Sequence, residues 1–195
     1  MKGQRLKEAK RLHHEFMTGM YANFGLFVCP RDHPVGFMEI LSLGGLIRHR
    51  TRGLKIVLND LFLIDSLDIL QFQQTVFHES GHLLHLYSNG FPNDVYNAAC
   101  SEPVGSMIAD YATLVFLESS GRRTEAYYEK LSDEAGPSIE LFEVARKSGM
   151  ENPSGLLRKL SRQNVGEIYQ TVRDYLQRDY LYEDPETEGD ARGLL

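Results

Sequence analysis

The chain has 195 residues, 42% hydrophobic and 25% charged, which suits one globular domain with a substantial core. No apolar run approaches the roughly 20 residues that span a bilayer. The formal charge of -6, with acidic and basic residues mixed along the chain, argues against a nucleic-acid partner, which would favour a basic stripe.

Residues 5–22 carry Leu6, Ala9, Leu12, Phe16 and Met20 at helical spacing, which predicts an amphipathic helix. The preceding and overlapping run MKGQRLKEAKRLHHEF has charges where an export signal would be apolar. Together with only two cysteines, Cys29 and Cys100, this leads to the expectation of a cytoplasmic protein. Between Phe24 and Asp60 the pattern changes to short apolar runs broken by Gly and Pro, namely GLFVCP, FMEIL and GLKIVLND, which predicts a small sheet. The cluster Arg48, His49, Arg50 and Arg52 reads as a solvated hairpin end.

Asp65 or Ser66 could cap the next helix, predicted over 68–88 and stopped by Asn89-Gly90. A loop with Pro92 leads to a second long helix, about 100–119, ended by Ser120-Gly121. Shorter helices are predicted near 122–133, 137–148 and 153–162, and a longer one near 165–182. Pro137 and Pro153 fit first-turn positions, and Gly136 and Gly149 fit stops. The tail 183–195, EDPETEGDARGLL, is acidic and is expected to be disordered. The predicted class is α+β: a helix, a small mixed sheet, then a mostly helical remainder. Residues 1–182 form one predicted domain, with a motif region at 54–120 and a helical part at 121–182.

His78-Glu79-Ser80-Gly81-His82 matches H-E-x-x-H inside the 68–88 helix. Residues i and i+4 project from one helix face, so both imidazoles can reach one cation, and neutral imidazole suits Zn²⁺. Glu79 is turned about 100° from His78, where it can act on a water held at the metal. A chance match is the competing reading; the apolar flank Val76, Phe77, Leu83 and Leu84 weighs against it.

A catalytic zinc needs a third protein ligand. His85 shares the face but lies seven residues from His78, a rise of roughly 10 Å, whereas two nitrogens on one zinc cannot be much more than about 4 Å apart. His85 is therefore read as a packed or supporting histidine. Glu102 opens the next long helix twenty residues after His82, with Pro103 fixing its start, and is the better candidate. Its competing role is that of an ordinary helix-dipole partner.

This arrangement, two histidines and a downstream helical glutamate, resembles the gluzincin metallopeptidases. The run Phe77–His85 is similar to the active-site helix of the thimet oligopeptidase and oligoendopeptidase F group, and Glu102 with Met107 and Ile108 to that group's glutamate helix. The resemblance spans residues 54–111, in a chain much shorter than those oligopeptidases. It implies a zincin-like fold, one zinc per chain and hydrolysis of peptides or proteins with Glu79 as general base. It also implies that Lys55, Ile56, Val57, Leu58 and Asn59 form an edge strand against which substrate pairs. Thermolysin-like gluzincins carry an Asp four residues after the glutamate to orient a zinc histidine. That position is Ser106 here, with Asp110 one turn further, so His85, Ser106 and Asp110 are the candidates for supporting the ligands. The metzincin continuation is absent, because its positions are His85 and Ser88.

An oxyanion donor is usually required as well, and Tyr127, Tyr128, Tyr175, Tyr180 and Tyr182 are candidates. The rival to an enzyme is a catalytically silent zinc-binding domain with a regulatory or scaffolding role. No membrane partner is expected, and oligomeric state is left open. So is the question whether residues 1–23 cover the cleft as a pro-segment.

Overall fold

The structure is a computed structural model and describes residues 2–26, 32–49, 53–64, 68–88, 102–131, 136–148 and 152–182. The side chains of 2, 48, 49, 88, 102, 148 and 178–182 stand outside that description, as do Cys29, Cys100, Gly149 and the tail 183–195. The fold is α+β.

Helix α1 (Lys2–Phe24) buries Ala9, Leu12, Phe16, Met17 and Met20 completely, the stripe that its helical spacing predicts. It is longer than the predicted 5–22, and ends where Gly25, at φ 67, lets its N–H reach the Tyr21 carbonyl. With these five side chains in the core, α1 is packed into the fold.

Three strands follow: β1 (Val35–Met38), β2 (Gly44–His49) and β3 (Gly53–Asn59), in the order β1-β3-β2. β1 runs parallel to β3 with Val35 beside Ile56, and β2 runs antiparallel to it from Gly44 beside Leu58 to His49 beside Gly53. The expected hairpin end at 48–52 falls largely outside the described residues, since 50–52 and the side chains of Arg48 and His49 are not described. The expectation that Lys55–Asn59 is an edge strand is corrected: β3 is the centre of the sheet, paired on both sides. The sequence carries the reason. β3 has buried side chains at Ile56, Val57, Leu58 and Asn59 in succession, a continuous run typical of an enclosed strand, where an edge would alternate. The edges are β1 and β2.

Asn59 ends β3 and holds the next turns together. Its Oδ1 accepts from the Leu61 N–H at 2.9 Å, capping the 3-10 turn Asp60–Leu63, while its Nδ2 donates to the carbonyls of Ile40 (2.6 Å) and Ser42 (2.9 Å). Helix α2 (Ile69–Ser88) is capped by Asp68, whose Oδ1 accepts from the Leu70 N–H; Asp65, Ser66, Asn89, Gly90 and Pro92 lie outside the described residues.

Helix α3 (Glu102–Ser119) stops at Gly121, φ 70, with the Arg122 N–H on the Leu117 carbonyl, a left-handed C-terminal cap. The predicted helix 122–133 shrinks to α4 (Glu125–Tyr128). Helix α5 (Gly136–Ser148) begins at Gly136, so that glycine starts a helix where a stop was expected. Helix α6 (Pro153–Leu160) opens on Pro153 behind an Asn152 cap and ends two residues earlier than predicted. Helix α7 (Val165–Tyr182) opens with a reciprocal pair, Asn164 N–H to Glu167 Oε2 and Glu167 N–H to Asn164 Oδ1. No helix among the described residues is long and apolar enough to cross a membrane.

The core closes around α2. Phe16, Phe77 and Phe116 join α1, α2 and α3, with ring centroids 5.0 to 5.9 Å apart. At Gly81 the two long helices nearly touch: a Cβ there would lie 2.8 Å from Ala109 Cα and 2.9 Å from its carbonyl oxygen. Only a residue without a side chain permits that approach, and the approach sets which turns of α3 face the His-Glu motif.

Candidate metal centre

Helix α2 turns by about 100° per residue, so His78 and His82 differ by about 40° and share the side that meets α3. Their Nε2 atoms are 3.0 Å apart, within the roughly 4 Å that two bonds to one zinc allow. Two ring nitrogens this close require something positive between their lone pairs, either a shared proton or a shared cation.

Asp110 fixes the orientation of the His78 ring: its carboxylate, fully enclosed in α3, stands 2.6 Å from His78 Nδ1, so that nitrogen donates and Nε2 faces His82. Gln74, one turn before His78, approaches the same carboxylate oxygen from Nε2 at 3.4 Å. Burial first, then the neighbouring His78 and His85, hold the His82 imidazole well below its usual range and therefore neutral. Two imidazoles with converging nitrogens, one backed by a carboxylate, are a donor set that fits zinc.

Of the three supporting candidates, Asp110 is brought to a motif histidine. Ser106 is buried one turn earlier on α3. His85 is buried on α2, and burial lowers its imidazole to about 4. A Cβ on Gly105 would lie 3.4 Å from His82 Nδ1 and 3.9 Å from His85 Nδ1, so the first turns of α3 run directly over these rings. Glu102 stands one turn before Gly105 at the start of α3, while its side chain is outside the described ones. Among the described residues no group of three His, Cys, Asp or Glu able to hold a metal is found.

Glu79 points elsewhere. It is buried, about 100° around α2 from His78, on the side that meets the sheet. A Cβ on Gly44 would lie 2.8 Å from Glu79 Oε1 and 2.8 Å from Thr75 Cγ2, so the bare start of β2 rests on the carboxylate. The Asn59 N–H donates to the Leu43 carbonyl, which fixes the alternation: Gly45 and Ile47 turn their backbone groups toward β3, Gly44 and Leu46 away from it. On that outer side the Ser42 hydroxyl donates to the Gly44 carbonyl, and no strand pairs there among the described residues. The consecutive Gly44-Gly45 is the signal by which a sequence reading could have found this contact.

Tyr127 and Tyr128 donate their hydroxyls to other groups. Tyr127 donates to Gln73 Oε1 at 2.7 Å, and Gln73 lies about 140° around α2 from His78. Tyr128 donates to Glu143 on α5. Tyr175 is buried with Lys159 over its ring. The side chains of Tyr180 and Tyr182 lie outside the described ones. No family model matches the chain, and no curated protein or solved structure of significant similarity was found.

Proposed function

We propose that the protein is a zinc-dependent metallopeptidase in which His78, His82 and Glu102 hold the metal and Glu79 is the general base. The observation that carries this reading is the converging Nε2 pair of His78 and His82, with the enclosed Asp110 fixing the tautomer of His78. An accidental H-E-x-x-H gives no reason for a buried carboxylate to stand behind the first histidine. When bound, zinc would acidify a water and polarise the scissile carbonyl. Glu79 would be the group that takes the proton of the attacking water and delivers it to the departing amine. Its side position on α2 keeps it out of the ligand pair, and its contact with the start of β2 orients it. An extended peptide pairs with the outward backbone groups of Gly44 and Leu46, which takes over the role first assigned to Lys55–Asn59. That edge passes directly over Glu79, so the peptide lies across the reacting atoms.

The test is Glu79→Gln, which keeps size and a polar amide but cannot accept a proton. The substituted protein should bind one zinc per chain, as wild type should, and lose about 10²–10⁴-fold in rate on a quenched-fluorescent peptide library. Zinc-loaded wild type that cleaves nothing would move the assignment to a silent zinc-binding domain. Purified protein that takes up no zinc would remove both.

A further inference from the structure

Large apolar side chains exposed singly on a surface are ordinary, whereas a cluster of them marks an interaction surface. Among the described residues, Met38 (40% exposed), Leu41 (fully exposed), Leu43 (40%), Leu61 (52%) and Ile64 (52%) fall in two short segments of the chain. The backbone brings those segments together around Asn59. Met38 is its partner in β1, and the Leu43 carbonyl accepts its N–H on the β2 side. Its Nδ2 holds the carbonyls on either side of Leu41, its Oδ1 holds the Leu61 N–H, and the Ile64 N–H returns to the Leu61 carbonyl. The backbone segments that carry these five exposed apolar residues therefore meet at one buried polar clamp at the end of the sheet.

The next residue after Leu43 is Gly44, which rests on Glu79. Along the chain the apolar patch thus adjoins the open edge of β2 beside the point where Gly44 meets Glu79, with Leu43 turned to the opposite face of the sheet from Gly44. From this continuity we infer that the patch is a substrate-selecting surface, receiving bulky apolar side chains of an extended peptide that lies along β2. The inference rests on the peptidase reading for its catalytic consequence. A strand on this edge presents side chains alternately to the two faces of the sheet, so selection falls on every second residue of the peptide beyond the Glu79 cleft.

Binding and cutting can be measured apart. The probe is a fluorescein-labelled ten-residue peptide with Leu at alternate positions, compared with the same peptide carrying Ser there, titrated against zinc-loaded Glu79→Gln in fluorescence anisotropy. The Leu peptide should bind at least about tenfold more tightly. Leu41→Asn with Leu61→Asn on the Glu79→Gln background should remove most of that preference, while circular dichroism and the melting temperature stay as before. Val165→Asn, which alters an exposed apolar residue on α7, is the control and should leave the preference intact. Equal affinity for both peptides, or a preference that survives the double substitution, overturns the inference. So does a dimer in sedimentation velocity, or binding to phosphatidylcholine vesicles, that the double substitution abolishes while peptide selectivity is absent. If zinc-loaded wild type binds the Leu peptide selectively and cuts neither, the surface stands and the peptidase reading falls. If it cuts Leu and Ser peptides at equal rates, the peptidase stands and the surface falls.

Discussion

His78 and His13 each form a side-chain hydrogen bond involving α2, one on each side of the helix, and they are bonded differently. On the α3 side, His78 of α2 gives its Nδ1–H to the enclosed carboxylate of Asp110 and turns Nε2 toward His82. On the α1 side, His13 reaches Ser80 of α2 through Nδ1 at 2.8 Å. The Ser80 hydroxyl already donates to the Val76 carbonyl, so it accepts from His13, and His13 Nε2 is buried with no hydrogen-bond partner among the described residues. A neutral hydroxyl stabilises a positive imidazole less than a carboxylate does, and His13 Nε2 is enclosed. On the proposed reading, the partner behind the ring, more than the burial of the ring, would separate a ligand from a packing residue.

The largest effect expected from this contrast is on acid stability. Burial, with smaller contributions from His33 and His14, pushes the His13 imidazole down to about 4 from the ordinary 6.5. The unfolded chain therefore takes up a proton at a higher pH than the folded one. Stability is fully present above about pH 6.5 and falls as pH drops toward 4, by about 3 kcal/mol from this group. His13→Leu should flatten that part of the profile, measured by urea unfolding between pH 7 and 4 with chelator present. His82 and His85 contribute acid sensitivity of the same sign, so the observable is the difference between the two proteins. An identical slope in both would show that His13 is not held neutral by the fold.

Asp110→Asn breaks the other side of the comparison. The amide can still accept from His78 Nδ1–H, but the charge behind the ring is gone. Zinc affinity should fall about 10–100-fold with stoichiometry unchanged, the usual cost of removing a partner that orients a ligand. Competition with a chromophoric chelator would read this. An unchanged affinity would mean that the carboxylate serves packing alone and that the two histidines differ less than their partners imply.

How much of this was legible in the sequence depends on how local each feature is. The helices and the His-Glu motif follow from periodicity and caps within a few residues, so α1, α2, α3 and α7 were foreseen nearly to their ends. Strand order is a long-range property: β3 becomes central only because β1, from some twenty residues earlier, pairs parallel with it. The burial of successive residues along β3 was the available signal, and the likeness to an edge strand obscured it. Asp110 shows the same limit on a smaller scale. Ser106 and Asp110 lie on one face of α3 a turn apart, so sequence offers both. The close approach of Gly81 to Ala109 is what sets Asp110 opposite His78. The clamp by Asn59 and the contact of Gly44 with Glu79 join segments brought together only in the folded sheet.

His85 is the third histidine and the smallest expected effect, and it asks which kind of residue it is. It shares the α3 side of α2 with His78 and His82, which favours a ligand. Its distance along the helix favours the opposite, since seven residues separate it from His78, a rise of roughly 10 Å. It lies against the first turns of α3 near Gly105, and burial lowers it to about 4, the same level as His13. These observations put it with the packing histidines. His85→Asn should therefore leave one zinc per chain and weaken affinity less than Asp110→Asn does, because any influence passes through the packing of His82 against α3. Metal analysis after dialysis, followed by the same chelator competition, measures both quantities. A substituted protein that loses stoichiometric zinc would place His85 among the ligands. The rise argument would then fail, and with it the reason for giving the third position to Glu102.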